Sequence, residues 1–125
     1  MELSQFERAV IETMISGDAE QAVLRNQLKV ATVVKRNYTG VGVFVTFHIP
    51  SDALRMKMTN RYIQSTPMAF LKHPELSPGA QAMLWFKDAC MSSLECVTVE
   101  GAWPSDESKF QIDPYGFPSV TPVDA

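Results

Sequence analysis

The chain has little cysteine, little histidine and no long apolar run, and each shortage narrows the class of protein. Its 125 residues include two cysteines, Cys90 and Cys96, which are too few for a disulfide framework. No apolar run approaches the roughly 20 residues that cross a bilayer. The first residues do not combine a basic region, an apolar run and a small-residue cleavage site, as a secretory signal does. We therefore expect a cytoplasmic protein that does not enter a membrane.

The few side chains suited to catalysis or metal binding are far apart in sequence. A structural zinc site usually takes ligand pairs at short spacing, whereas the four soft ligands here are separated by 25, 17 and 6 residues. No predicted helix begins at either cysteine to activate a thiol, and the carboxylates of Glu95, Glu100 and Asp106 are expected to be solvated surface. We expect no metal, no cofactor and no catalytic residue, and we favour a protein that is not an enzyme. The four soft ligands are His48, His73, Cys90 and Cys96.

The net charge of −3 conceals an uneven distribution. Residues 1–20 carry five acidic side chains and one basic one, whereas residues 21–72 carry eight basic side chains and one acidic one. Such asymmetry can mark an anion-binding face, or the acidic N-terminal helix can lie beside the basic segment and neutralise it. We favour the second interpretation. The candidate anion-binding residues, in which basic side chains are interleaved with an aromatic, are Arg55, Lys57, Arg61 and Tyr62.

Two short helices are predicted at the N-terminus. Ser4 and Glu7 fit a capping box, which starts a helix. The apolar residues between positions 6 and 14 recur at intervals of four, so that one face is apolar and Glu7 lies towards water. Gly17 ends this helix, and Asp18 is expected to cap a second one.

Beyond residue 30 the apolar period changes to two, which predicts strands. One hairpin is predicted over residues 30–49 and a second over residues 80–100, with a short final strand near residues 109–112. Residues 51–79 have no sustained period and are expected to be mostly loop, with room for one short strand. The pattern indicates an α+β fold, in which an N-terminal helical hairpin packs on one face of a four- to five-stranded antiparallel sheet. We assign residues 1–112 to this single domain and residues 113–125, with three prolines, to an extended tail.

The segment Gly40-Val41-Gly42 joins two predicted strands and is not a phosphate loop. A phosphate loop needs its glycines between a strand and a helix, because the helix N-terminus supplies the N–H groups that hold the anion. Here a strand follows, and neither a third glycine nor the lysine of a P-loop is present. We expect these glycines to supply the backbone angles of a tight turn or bulge.

Four short motifs carry a resemblance to a known family. They are the run from Tyr38 to Phe44, the segment from Leu84 to Asp88, the pair Leu94-Glu95 and the pair Trp103-Pro104. Together with the helical N-terminus they resemble a family of small bacterial proteins with no established activity. The motifs are structural, so the resemblance implies a fold and no particular chemistry.

Aromatic side chains point to a protein-binding function. Trp85 alternates with Leu84 and Phe86, so it lies on the opposite face of its strand from them, as does Met83. If the helices cover only one face of the sheet, an apolar patch on the other would meet a partner. Trp103, next to a proline, either fills a depression in a partner or covers the protein's own core. The predicted partner-binding residues are Trp85, Trp103, Met83, Glu100 and Asp106.

Three functional hypotheses follow. The first is a non-enzymatic protein-binding module, which forms a homodimer or binds another protein as inhibitor and immunity proteins do. The alternative is a small-molecule-binding protein or enzyme with a pocket between helices and sheet. Nucleic-acid binding through residues 54–62 is the weakest hypothesis, because the net charge is negative. The residues expected to line the pocket are Phe6, Tyr38 and Phe47, with His48 or His73 as the polar group.

Overall fold

The computed structural model of the chain describes residues 1–57 and 68–114, which form two α-helices and six strands. The helices are α1 (Gln5–Ile15) and α2 (Gln21–Val30). The strands are β1 (Thr32–Tyr38), β2 (Gly42–His48), β3 (Met68–Lys72), β4 (Ala80–Lys87), β5 (Cys90–Thr98) and β6 (Gln111–Asp113). A short 3-10 helix, Glu107–Lys109, precedes β6.

The strands form one sheet in the order β1-β2-β5-β4-β3-β6, in which every neighbouring pair is antiparallel. The predicted α+β class is confirmed, but the sheet has six strands instead of four to five. The predicted number was too low because β3, within residues 51–79, pairs with both β4 and β6. This pairing supplies hydrogen bonds to two short segments that have little strand pattern of their own. β6 ends at Asp113, the first residue of the predicted tail, and residues 115–125 lie outside the described residues.

α1 begins at the predicted capping box. Ser4 Oγ accepts a hydrogen bond from Glu7 N at 3.1 Å, and the Glu7 carboxylate accepts one from Ser4 N at 2.8 Å. The prediction that Glu7 lies towards water is wrong, because Glu7 is only 2% exposed and forms a bidentate ion pair with Arg36 of β1. The two N–O distances are 2.6 and 2.7 Å. Hydrogen bonding to Glu7 raises the pKa of Arg36, so the pair holds the first turn of α1 against the edge of the sheet.

The second helix begins without the predicted cap. The Asp18 carboxylate accepts a hydrogen bond from Glu20 N at 2.8 Å, and Glu20 occupies the N-cap position of α2. The Gln21 side chain turns back and accepts a hydrogen bond from Gly17 N at 3.4 Å. Asp18 therefore stabilises the connection between the helices, and α2 begins later than the capping pattern predicts.

A bulge in β1 breaks the predicted alternation of that strand. The pairing with β2 shifts between Val33 and Lys35, so Val34 is the extra residue, and its side chain is exposed. As a result Val33 shares one face of the sheet with Arg36 and Tyr38, which the sequence pattern places on the opposite face. An extra residue has this effect because strand side chains alternate with a period of two.

Both helices pack on the same face of the sheet, which we call the inner face. α1 contacts β3, β4 and β6, and α2 contacts α1 and β5. One continuous apolar cluster joins the helices to this face. Its fully buried members include Val10, Ile11, Ile15, Leu24, Val45, Leu71, Leu84 and Leu94.

Both hairpin turns depend on unusual backbone geometry. Gly40 has a φ of +95°, which confirms its predicted role in the turn, whereas Gly42 lies so close to β5 that an added Cβ would overlap the Cys96 carbonyl oxygen. In the β4–β5 turn, Asp88 and Ala89 have φ angles of +53° and +64°. Positive φ at both central residues is the requirement of a type I′ turn.

A buried glutamine joins α2 to the β4–β5 hairpin. Gln27 is 0% exposed, and its amide nitrogen donates to the carbonyl oxygens of Leu54 and Ala89 at 2.8 and 3.1 Å. Its amide oxygen accepts a hydrogen bond from Met91 N at 2.9 Å. Since a buried polar group that loses its partner costs about 1–3 kcal/mol, Gln27 holds the helix, the loop after β2 and the hairpin in one arrangement.

We predict that Arg36→Met destabilises the protein far more than Arg25→Met. The Arg25–Glu12 pair has an N–O distance of 2.6 Å, as the Arg36–Glu7 pair has, but both of its side chains are 47% exposed. Removal of Arg36 leaves a buried carboxylate without its cation, which costs about 3–5 kcal/mol. Removal of an exposed pair costs about 0–1 kcal/mol. Urea unfolding measures both losses, and equal losses would contradict the prediction.

We also predict that Gly42→Ala costs more stability than Gly40→Ala. The new methyl group at position 42 would meet the backbone of β5, which cannot move without disturbing the ladder, so we expect a loss of about 3 kcal/mol. At position 40 no atom lies within 4 Å, and the loss of about 1–2 kcal/mol comes from the positive φ alone. Thermal unfolding compares the variants, and a smaller loss at position 42 would show that the two strands separate easily.

Candidate functional site

The face of the sheet opposite the helices, which we call the outer face, carries partly exposed apolar side chains. They lie on the four adjacent strands β2, β5, β4 and β3, and each alternates with buried residues of the inner face. On β3, Phe70 points to the same side but is buried, whereas Met68, which pairs with Met83, is partly exposed. The partly exposed apolar residues of the outer face are Phe44, Met68, Met83, Trp85 and Val97.

Strand pairing places a carboxylate at the centre of these side chains. Glu95 of β5 pairs directly with Phe44 on one side and with Met83 on the other. Trp85 pairs with Ser93, two residues before Glu95, and is therefore its diagonal neighbour. Direct and diagonal neighbours of this kind lie about 4.5–8 Å apart. The predicted positions of Met83 and Trp85 opposite the inner face are thus observed, and a charge that the sequence pattern did not place lies between them.

The Glu95 carboxylate has one hydrogen bond within the described residues. Its Oε1 accepts from Trp85 Nε1 at 3.2 Å, and the residue is half-buried. A carboxylate offers about four lone-pair positions on two oxygens, so Glu95 can accept further donors from the open side of the face. The expectation that Glu95 is solvated surface does not fit, because Glu95 is half-buried and β5 is an interior strand of the sheet. The cross-strand pairing of Glu95 with Phe44 is the observation that places this carboxylate among the apolar side chains of the outer face.

Trp103 lies away from the outer face. Its ring packs against Phe6 of α1, with ring centroids 6.1 Å apart, and against Phe110, with centroids 4.9 Å apart. Its backbone N–H donates to the Gly40 carbonyl oxygen at 2.9 Å. Trp103 therefore covers the edge of the protein's own core, which is one of the two predicted interpretations. Its contact with a partner stays a prediction.

Glu107 connects Trp103 to the edge strand β1. Its Oε2 accepts hydrogen bonds from Trp103 Nε1 at 2.9 Å and from the Tyr38 hydroxyl at 3.3 Å. Partial burial raises the pKa of Tyr38, and the negative charge of Glu107 raises it further. The carboxylate therefore has a structural role on the helix side of the sheet.

The two acidic residues predicted to bind a partner also lie outside the outer face. The Asp106 carboxylate accepts hydrogen bonds from Ser108 N and Oγ at 3.0 and 2.5 Å, and these bonds lower its pKa. Its carbonyl oxygen lies 2.8 Å from Nε2 of the buried His73. Glu100 is exposed beyond the end of β5. The structure thus brings together Met83 and Trp85 only, and separates them from Trp103, Glu100 and Asp106.

Two basic side chains of residues 21–72 pair with the acidic helix, in the way that the favoured interpretation of the charge distribution expects. The ion pairs Glu7–Arg36 and Glu12–Arg25 both join α1 to residues of that segment. Their charges are therefore neutralised within the protein instead of forming a basic surface.

The predicted anion-binding residues are only partly described. Arg55 contacts the Cys90 sulfur, and the Lys57 backbone N–H donates to Glu20 Oε1 at 2.6 Å. The other two, Arg61 and Tyr62, lie outside the described residues. Nucleic-acid binding through this segment stays a prediction.

The residues named for a pocket between helices and sheet do not lie around one cavity. Phe6 is buried in the core, Tyr38 is more than half exposed, and His48 lies on the opposite face of the sheet. Phe47 lines an open depression of about 440 Å³ beside the β4–β5 turn. Small-molecule binding stays a prediction, and the depression is also lined by Ile49, Arg55, Lys87, Asp88, Cys90, Met91 and Ser92.

The soft ligands are likewise separated. Both cysteines are free and buried, and burial raises the pKa of the Cys96 thiol. Among residues 1–57 and 68–114, no three His, Cys, Asp or Glu side chains are grouped so that they could hold a metal ion. In the same part of the chain, neither helix has the length and apolar character needed to cross a membrane.

Comparison with known proteins gives no relative. No protein-family profile matches the chain, and no curated protein or solved structure is significantly similar to it. The resemblance to a family of small bacterial proteins stays a prediction.

We predict that Glu107→Gln lowers the pKa of Tyr38, because it removes the negative charge beside the hydroxyl while partial burial remains. The raised pKa means that Tyr38 contributes stability at pH values below the ordinary tyrosine pKa, and that this contribution is lost as the pH rises through the raised value. Tyrosinate absorbance as a function of pH measures the shift, with Tyr38→Phe identifying the signal. An unchanged pKa in Glu107→Gln would contradict the electrostatic cause.

Proposed function

We propose that the chain is a non-enzymatic module that binds another protein through the outer face of its sheet. One observation carries the proposal, which is that both helices cover the inner face while apolar side chains remain partly exposed on the other. Contiguous exposed apolar side chains are typical of interaction surfaces. Tryptophan, here Trp85, is prominent among the residues that dominate binding energies.

The states of Cys96 and His73 support binding over catalysis. Cys96 is buried with a raised pKa, which disfavours the thiolate that a nucleophile requires. His73 is buried, and its Nδ1 accepts a hydrogen bond from Glu75 N at 3.0 Å while Nε2 lies against the Asp106 carbonyl. Both ring nitrogens are thus engaged by the backbone, and His73 is not available as a general base.

We predict that Trp85→Ala abolishes the capture of a protein partner from a lysate of the source organism. Truncation of an aromatic side chain at the centre of an interface typically costs about 2 kcal/mol or more, which is a loss in affinity of about thirtyfold. Tagged wild type and variant serve as baits, and quantitative mass spectrometry compares the captured proteins.

Met83→Lys is the second outer-face variant, and Leu54→Lys is its matched control. Leu54 is 55% exposed, and its backbone is bonded to α2 on the helix side of the sheet, so it tests the same change away from the outer face. We expect Met83→Lys to lose the partner and Leu54→Lys to retain it. If folded Trp85→Ala and Met83→Lys proteins both capture the wild-type partner, the outer face is not the binding surface.

A further inference from the structure

We infer that the partner presents an arginine or lysine side chain to Glu95, flanked on the outer face by Phe44 and Trp85. This inference rests on the proposed function, since it names the chemistry of the partner at the same surface. Its starting point is the position of Glu95, a half-buried carboxylate between apolar side chains on an interior strand.

A wholly apolar partner would bury Glu95 at a high cost. Within the described residues, Glu95 accepts a hydrogen bond from the Trp85 indole and forms no ion pair. A partner that covers the face removes the water that now solvates the rest of the carboxylate, and a buried charge is tolerated only when it is paired. The partner must therefore bring a donor, and a cation forms the strongest hydrogen bond with a carboxylate.

The neighbours of Glu95 suit a cation as well. Phe44 pairs directly with Glu95 and Trp85 is its diagonal neighbour, so two aromatic rings lie within reach of a cation at the carboxylate. Aromatic rings attract a cation that lies within about 6 Å of the ring centroid. Met83, on the other side of Glu95, offers an apolar surface for the aliphatic part of an arginine or lysine side chain.

A second copy of this chain fits the face less well. In a two-fold symmetric dimer the same surface meets itself, so the two Glu95 carboxylates would approach each other at the centre of the interface, where like charges oppose binding. The basic residues of the outer face, Lys35, Lys72 and Lys87, pair with Thr46, Gln111 and Cys90 and lie in rows that do not contain Glu95. A different protein with one central cation, and with acidic residues opposite these lysines, is complementary to this charge pattern.

The test is a titration of the full chain with two blocked tripeptides, acetyl-Leu-Arg-Leu-amide and the same peptide with citrulline in place of arginine. Citrulline keeps the shape of the side chain and replaces the guanidinium by a neutral urea group. NMR follows the indole N–H resonance of Trp85, and Trp103→Phe distinguishes it from the other tryptophan. Two variants accompany the wild type, namely Glu95→Gln and the matched control Glu100→Gln, whose carboxylate is exposed outside the face.

We expect the arginine peptide to shift the Trp85 resonance saturably, and the citrulline peptide to bind at least about tenfold more weakly, as loss of a charge-assisted hydrogen bond implies. Glu95→Gln should remove this difference between the peptides, and Glu100→Gln should preserve it. Equal binding of the two peptides, binding that is unchanged in Glu95→Gln, or no shift with either peptide would overturn the inference.

Failure of this inference can be distinguished from failure of the proposed function. A protein that is captured by wild type and by Glu95→Gln alike, but lost in Trp85→Ala, would leave the outer face as the binding surface and overturn the role of the cation. A dimer in sedimentation experiments that depends on Trp85 would identify a second copy as the occupant and would also overturn it. Capture that is unchanged in Trp85→Ala and Met83→Lys would remove the proposed function itself.

Discussion

The bidentate ion pair between Glu7 and Arg36 is the contact on which the arrangement of the N-terminal half depends. Glu7 caps α1 and is a buried charge, so it must keep its cation, and this requirement holds the first turn of the helix at the edge of the sheet. The residues before α1 also lie against β1. The Met1 carbonyl oxygen accepts a hydrogen bond from Val33 N at 2.6 Å, and Arg36 donates one to the Glu2 carbonyl oxygen at 3.3 Å. Part of the open edge of β1 is covered in this way, which limits pairing with other chains at that edge.

The same contact, together with Gln27, commits both helices to the inner face. Glu7 holds α1 at β1, and the amide of Gln27 holds α2 at the β4–β5 hairpin, so the two anchors lie on one side of the sheet. The apolar faces of both helices are used in the core cluster. In the part of the chain that the structure describes, no further α-helix is present to cover the outer face. Exposure of Phe44, Met83 and Trp85 is therefore a consequence of how the helices are anchored.

Local features of the fold could be predicted from the sequence, whereas features that depend on distant partners could not. The capping box at Ser4, the two hairpins and the opposite facing of Leu84 and Trp85 each depend on residues that are neighbours in the chain. The burial of Glu7 was not predictable from helical periodicity, because its cation lies 29 residues away on β1. The bulge at Val34 and the pairing of β3 with β6 are likewise set by the partner strand. At the candidate site, Trp85 and Met83 followed from alternation, but the position of Glu95 beside Phe44 needed the pairing of β2 with β5.

The outer face combines apolar rings, which favour burial, with a carboxylate, which favours water or a counter-ion. If water were its permanent neighbour, the exposed rings of Phe44 and Trp85 would leave apolar surface unburied. If a purely apolar surface covered it, the carboxylate of Glu95 would lose its solvent without gaining a counter-ion. Glutamate is also disfavoured in strands, and the indole hydrogen bond from Trp85 offsets only part of that cost. Conflicts between local residue choice and fold are concentrated at functional sites, and an occupant that is apolar at its rim and cationic at its centre removes both conflicts at once.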